Sequence, residues 1–444
     1  MIGVGGAGMS GLARLAVAAG YRVAGSDREP SPTLESLRRL GVDARAGHTA
    51  EHVAKDVDAV VVSTAIAETN PELAVARERD LPVLHRADLL AELMAACRGV
   101  AVAGAHGKST TSGMLVAALD DPSACVGATI DGGGGTGARW GSGEWFVAEA
   151  DESDRSLLKL APEAAILLNV DHDHHSTYAD IGAVEEVFRQ FVAALPARGL
   201  LVTGPDERAR RVAVAAPCEV RAVGPGPDSW AELVAVAPGR FVLRLASGEQ
   251  QPFELSVPGM HNGHNAACAL AMAEWCGVAL SEAAERVRGF GGVGRRFELR
   301  GEARGIRVVD DYAHHPVEVA ATLEAARETD AERLVVVFQP HLYSRTRELA
   351  AEFAEALASA DLVVVTEVYA AREPHDPGVS GVQVADAIPQ AIFVPLLRDV
   401  PRALCPQLRS GDLVLTMGAG DVTTLAGSLL SHIEQVWDER TRDL

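Results

Sequence analysis

Gly99-Val100-Ala101-Val102-Ala103-Gly104-Ala105-His106-Gly107-Lys108-Ser109-Thr110-Thr111-Ser112 is the stretch whose reading decides the fold. Its apolar run over 100–103 reads as a short buried strand. Two glycines, a lysine and a set of hydroxyl residues follow, then a helical pattern over 113–119. Strand, glycine turn, Lys-Ser and helix form the plan of a phosphate-binding loop, in which backbone N–H groups freed by the glycines point at phosphate oxygens. Lys108 would neutralise the outer phosphates, and the hydroxyl of Ser109 or Thr110 would sit on Mg²⁺. The general pattern has a glycine where Val102 stands, so an ordinary glycine turn is the alternative. Composition favours the phosphate reading. Of 40 Lys plus Arg, only Lys55, Lys108 and Lys159 are lysine, so a compact ammonium is kept here while arginine serves nearly everywhere else.

Outward from this loop, 444 residues are too many for one core and imply two to three domains. A hydrophobic fraction of 48% with 5% aromatics fits an α/β protein without a transmembrane run. The net charge of −21 argues against a nucleic-acid surface and demands that any phosphate site build its positive field locally. Six cysteines without a C-x-x-C pair read as reduced thiols of a cytoplasmic protein, and no signal peptide is expected.

The first residues carry G-x-G-x-x-G at Gly3, Gly5 and Gly8, followed by a helical pattern up to Gly20. Asp27 stands near the distance of a ribose-binding carboxylate, so a dinucleotide site and a ligand-free tight turn are both open. Few residues precede Gly3, so either the first strand is very short or the chain begins upstream of Met1. Further strands are expected at 21–25, 58–65 and 81–84, giving a parallel doubly wound sheet.

Beyond the loop, a glycine-rich segment spans 132–137. A strand at 145–148 runs into Glu149-Ala150-Asp151-Glu152-Ser153-Asp154, a cluster suited to hydrated Mg²⁺ or else a solvated acidic loop. A buried strand at 164–170 delivers Asp171-His172-Asp173-His174-His175. Adjacent residues fit a tetrahedral zinc poorly, and one histidine completing a Mg²⁺–phosphate site suits the spacing better. A helix is expected at 184–195, and strands at 219–223, 240–245 and 253–257 suggest a small extra sheet. Asn262 and Asn265 could meet an adenine edge or cap a helix. From about Val293 a second doubly wound sheet is expected, with strands at 306–310, 334–338, 362–366, 392–394 and 413–416 and helices that include 317–326 and 349–358. Its strand ends carry Asp310-Asp311-Tyr312-Ala313-His314-His315-Pro316, a run from Gln339 to Arg347, and Met417-Gly418-Ala419-Gly420-Asp421.

Nine of these stretches, in this order, resemble the ATP-dependent Mur ligases: GVGGAGMSG, GAHGKSTT, EADESD, NVDHDHHSTY, HNGHNAACA, GVGRRFE, DDYAHHP, FQPHLYSRT and MGAGD. The first and third point, within the family, to the members that add the first amino acid. The resemblance covers the whole chain. It implies three α/β domains: a Rossmann-like UDP-sugar domain at 1–97, a P-loop ATPase-type domain with an extra small sheet at 98–294, and a Rossmann-like amino-acid domain at 295–444. It implies an ATP- and Mg²⁺-dependent ligase joining L-alanine to UDP-N-acetylmuramate, a monomer or homodimer without nucleic acid or membrane insertion.

By the same resemblance, Gly5, Gly6, Ala7, Gly8, Met9 and Ser10 surround the UDP pyrophosphate. Gly104, Ala105, His106, Gly107, Lys108, Ser109, Thr110, Asn262 and Asn265 bind ATP. Ser109, Glu149 and His174 hold metal, and Lys108, His314 and Arg345 serve the chemistry; His314 and Arg345 reach the phosphates, a role that suits His314 better than accepting the amine proton, for which it is also a candidate. The family more often has Thr at Ala105, Gly at Ala313 and Arg at Leu342, and Arg347 could stand in for that last cation. No lysine lies in 184–195 to be carbamylated. Two rivals come from other classes: a dinucleotide-dependent oxidoreductase built on Gly3, Gly5, Gly8 and Asp27, and a nucleotide-binding module without catalysis. A rival within the family attaches a preformed tripeptide to the same nucleotide sugar. Convergence of three domains on the substrates implies closure on binding.

Overall fold

The computed structural model describes residues 1–130, 136–172, 177–371 and 373–442, with side chains to 437. The chain divides into two compact units. One comprises Met1–Val236, Arg240–Leu255 and Asn262–Gly291; the other comprises Ala237–Gly239, Ser256–His261 and Gly292–Leu444.

The first unit opens with a parallel layer. Ala24–Asp27 pairs with Asp43–Ala46, and Val60–Val62 pairs with Val83–His85. Between the two pairs lies Ile2, which bridges to Ser26 and donates its N–H to the Val61 carbonyl at 3.0 Å. The strands expected at 21–25, 58–65 and 81–84 start two to three residues later and are short, because glycine and polar residues at their ends favour turns, and Asp43–Ala46 is unanticipated. The helix Ala7–Ala18 buries Leu12 and Leu15. Ser31 before Pro32 and Asn70 before Pro71 start the next helices, each side chain accepting a backbone N–H of the first turn.

The phosphate-loop strand Arg98–Ala103 lies at the middle of a seven-stranded sheet. The order is Glu219–Ala222, Leu200–Thr203, Ala164–Leu167, Arg98–Ala103, Trp145–Glu149, Ser123–Cys125, Ala138–Arg139. All pairs are parallel except the last. Val100–Ala103 are fully buried, as a strand covered on both faces requires. The small sheet exists, with altered membership. It consists of Ala231–Ala237, Arg240–Leu245 and Gln250–Glu254, whereas Glu219–Ala222 extends the large sheet beside Leu200–Thr203.

The second unit holds a six-stranded sheet in the order Glu298–Ala303, Ile306–Asp311, Asp412–Met417, Arg333–Phe338, Leu362–Val365, Ala391–Phe393. Five strands match the expected ones. Glu298–Ala303 is an unanticipated antiparallel edge. The helix expected at 349–358 begins earlier, as Tyr343–Leu357, with a kink at Leu349. The whole chain is thus α/β with mixed, mainly parallel sheets. Among the described residues no helix is long and apolar enough to cross a membrane.

Candidate functional site

In the first unit, two glycines bend the chain between strand and helix. Gly104 has φ +136°, and a Cβ there would lie 3.1 Å from Leu168 Cβ and 3.2 Å from the Asn169 nitrogen. Gly107 caps the helix Lys108–Ala118 with φ +84°, and a Cβ there would sit 2.8 Å from Asn265 Oδ1. The first helical bond of this region is Thr111 N–H to the Gly107 carbonyl, which leaves the N–H groups of the first turn directed outward for an anion. Asn169, at the end of the neighbouring strand, fixes the loop. Its Oδ1 accepts the His106 N–H at 2.9 Å, and its Nδ2 donates to the His106 carbonyl at 3.0 Å. His106 Nε2 lies 3.3 Å from Asp171 Oδ2.

Lys108 Nζ donates to the Gly104 and Ala105 carbonyls at 2.6 and 3.2 Å and lies 2.9 Å from both oxygens of Glu152. Burial works against its charge, but Glu152 and Asp151 outweigh burial and hold the ammonium above the ordinary lysine range. Asp151 is drawn the other way. Burial raises it, yet Lys108, Ser153 and Arg86 together bring it down to about 2. Arg86 begins the helix Arg86–Met94 of the N-terminal layer and reaches Asp151 at 2.7 Å and Asp154 at 3.3 Å. The acidic run is therefore a paired cluster and not a solvated loop. Glu149 ends the strand that runs beside the loop strand, in register with Val102, and its Oε2 accepts the Gly127 N–H at 2.7 Å. Ser109 is half-buried in the helix's first turn. His174 and the glycines 132–135 lie outside the described residues. Asn262 and Asn265 are buried inside the first turns of the helix Met260–Trp275, with Asn265 Nδ2 3.5 Å from Asn262 Oδ1. They do not cap that helix.

At the N-terminal loop, Gly3 has φ +77° and Gly6 precedes the helix Ala7–Ala18 with no side-chain cap. Gly6, Ala7 and Gly8 are exposed, so their backbone is accessible. Met9 is buried in the core, which limits it to a backbone role, and Ser10 Oγ donates to the Ala7 carbonyl. Asp27 Oδ2 accepts the Gly5 N–H at 2.8 Å and Oδ1 accepts the Arg28 N–H at 2.7 Å. This carboxylate braces the glycine turn, a use that the dinucleotide reading did not foresee.

In the second unit, loops gather at the C-terminal ends of parallel strands. Asp311 folds the loop after its strand: Oδ1 accepts the Ala313 N–H at 2.8 Å and the Thr322 hydroxyl at 3.2 Å, and Oδ2 accepts the Phe297 N–H at 2.8 Å. Burial pushes this carboxyl above its ordinary value. The same loop presents His314. Its Nδ1 is 2.9 Å from the Tyr312 carbonyl oxygen and 3.2 Å from Glu318 Oε2. Arg345 is buried in the first turn of Tyr343–Leu357. Leu342 just before it has φ +72°, a strained conformation for a bulky side chain, and accepts the Thr346 N–H and hydroxyl. Arg347 is exposed and pairs with Asp376. Gln339 ties the last loop by donating to Asp421 at 2.7 Å and accepting the Val422 N–H at 3.1 Å.

Sequence reasoning missed Asn169, Arg86 and Glu318. Asn169 stands where a buried strand meets a turn, and Glu318 stands four residues after His314 on a helix. Both offered a local signal; Arg86 offered none. The first unit's loop can cradle phosphate and offers oxygen donors to a divalent cation, and the second unit's loop offers the His314 imidazole.

Three family models match the chain: "Mur ligase family, catalytic domain" at residues 1–98, "Mur ligase middle domain" at 102–273, and "Mur ligase, glutamate ligase domain" at 295–420. The UDP-N-acetylmuramate–L-alanine ligase of Streptomyces griseus is 46% identical over 449 residues, 97% of this chain and 96% of that protein. The enzyme of the same name from Rubrobacter xylanophilus is 46% identical over 98% of this chain and 99% of its own. Among solved structures, the UDP-N-acetylmuramate–alanine ligase of Thermotoga maritima superposes with a TM-score of 0.82 at 27% identity, covering 98% of each chain. A murein peptide ligase of Psychrobacter arcticus gives 0.72 at 25% identity, covering 97% of this chain and 98% of its own.

Proposed function

The chain belongs to the Mur ligase family, and from that premise we propose that it joins L-alanine to the muramate carboxylate of UDP-N-acetylmuramate at the expense of ATP. The observation that carries this reading is the Lys108 loop set against Glu149, Asp151 and Glu152, in a chain alike over nearly its whole length to ligases of that activity. In the first step a carboxylate oxygen attacks the γ-phosphorus of ATP. A C(O)–O–P linkage forms, the bond to the bridging oxygen breaks, and ADP leaves. Two anions meet in this step, so catalysis is chiefly positioning and charge neutralisation. Lys108 and the outward N–H groups of the helix Lys108–Ala118 supply these in the first unit, and Arg345 supplies positive charge in the second. In the second step the amine nitrogen of L-alanine attacks the acyl carbon, the amide forms and phosphate leaves with the electron pair.

The oxygen donors fit Mg²⁺. Glu149 is a carboxylate steadied at a strand end by the Gly127 N–H, and Ser109 is a hydroxyl on the loop helix. These two residues would hold the ion, with His174 as the third ligand. Bound there, it would offset the phosphate charge. Gly5, Gly6, Ala7, Gly8, Met9 and Ser10 would take the pyrophosphate of the nucleotide sugar, chiefly through backbone N–H groups at a helix start. Gly104 to Thr110 would take the ATP phosphates, and Asn262 and Asn265 would face the adenine. Mass analysis of the nucleotide sugar after incubation with ATP, Mg²⁺ and L-alanine tests the reading. It should gain one alanyl residue for each phosphate released, and an unchanged mass would refute it.

A further inference from the structure

The amine of L-alanine enters the second step as an ammonium, so some group must take its proton. The loop after the strand Ile306–Asp311 contains a base whose tautomer is already fixed. A carbonyl oxygen can only accept, so the 2.9 Å contact from the Tyr312 oxygen to His314 Nδ1 places the ring hydrogen on Nδ1. Glu318 Oε2, 3.2 Å from the same nitrogen, is a second acceptor for that hydrogen. Glu318 also accepts the His314 backbone N–H at 3.1 Å, which clamps ring and main chain together. Arg296 pairs with Glu318 at 3.3 Å, while Arg295 and Arg296 both stack on Tyr312. The Tyr312 and His341 rings meet His314 edge-on, at centroid distances of 5.0 and 5.8 Å. With Nδ1 carrying the hydrogen, neutral His314 bears its lone pair on Nε2. That atom makes no hydrogen bond among the described residues. A base, an orienting carboxylate and a cation behind the carboxylate repeat the logic of an activated acid–base pair.

We propose that His314 is the proton acceptor for the attacking amine, and that Glu318 is the positioning residue that sets its tautomer. The assignment rests on the ligase reading and deepens it. His314 Nε2 takes one proton from the ammonium. The nitrogen lone pair forms the C–N bond and the C–O bond to phosphate breaks; phosphate leaves with that electron pair and takes the second proton from the nitrogen, and the imidazolium returns the first proton to solvent.

The test is phosphate release with two nucleophiles, L-alanine and hydroxylamine. Hydroxylamine is largely uncharged at neutral pH and needs no base. In His314→Gln the L-alanine rate should fall about 10²–10⁴-fold while the hydroxylamine rate stays within about threefold of wild type. In Glu318→Gln the L-alanine rate should fall about tenfold and the hydroxylamine rate should again be spared, because the Tyr312 carbonyl still orients the ring. A purely structural role would depress both nucleophiles together. Equal losses with both nucleophiles in both variants, or full L-alanine activity in His314→Gln, would overturn the assignment. A wild type that releases no phosphate with L-alanine would instead overturn the ligase reading, and this assignment with it.

Discussion

Lys108 is held by two carbonyls of its own loop and by both oxygens of a nearly fully buried Glu152. Two consequences follow from burying this pair. Lys108→Ala should lower the rate of ATP-dependent phosphate release about 10²–10³-fold, the scale of removing one preorganised donor. It should also destabilise the protein by about 1–3 kcal/mol, because Glu152 loses its charged donor. Adding Glu152→Gln should restore the melting temperature and leave the rate low. A double variant that regains activity would show that Lys108 serves only the fold. Lys108→Arg should not rescue the rate, since a planar guanidinium cannot replace a point charge between two loop carbonyls. Asn169 braces the same loop from the neighbouring strand end. Its two bonds to the His106 backbone are worth about 1–3 kcal/mol together, so Asn169→Ala should raise the apparent Kd of an ATP analogue about tenfold or more in a calorimetric titration. The residue types of this loop were legible as glycines, a rare lysine and carboxylates, the set the proposed phosphate–metal site draws on. Their pairings were not: Lys108 meets Glu152 across 44 residues and Arg86 meets Asp151 across 65.

The two glycine loops act as separate elements, and each can be damaged alone. A Cβ at Gly107 would impose a left-handed backbone cost of about 1–2 kcal/mol, added to the 2.8 Å approach to Asn265. Gly107→Ala should therefore weaken ATP-analogue binding strongly and leave UDP binding unchanged. Gly5→Ala places its Cβ 2.9 Å from Asp27 Oδ2 and loosens the other turn, so UDP binding should weaken while the ATP analogue binds as before. Paired titrations of both variants check this, and loss of both ligands in either variant would contradict it. The elements least visible in the sequence were sheet edges. Glu298–Ala303 is short, polar and charged, as edge strands are when they must not pair with another chain; Glu219–Ala222, the other polar edge, is expected as a strand but in the small sheet. Ala231–Ala237 is rich in alanine, which gives no strand signal. Central strands such as Arg98–Ala103 and Arg333–Phe338 were readable because burial on both faces makes them continuously apolar.

Over the whole molecule, a chain of charge −21 is proposed to bind two polyanionic nucleotides. Its surface field cannot draw them in, so the positive charge is local: Lys108 set among carboxylates, the outward N–H groups at the starts of Ala7–Ala18 and Lys108–Ala118, and Arg345 buried in the second unit. The α/β class and the ligase family were legible from motif order along the entire chain. Selectivity for the acceptor amine was not, because loops that would select it, such as those of the second unit, take their shape from bonds like Phe297 to Asp311 and Gln339 to Asp421 that the sequence does not show. The most direct measurement is phosphate release from ATP and Mg²⁺ with UDP-N-acetylmuramate and, separately, L-alanine, the preformed tripeptide or no acceptor. Release that requires L-alanine and vanishes in Lys108→Ala is the expected result. Release that requires the tripeptide instead, or none with any acceptor, would contradict the assignment.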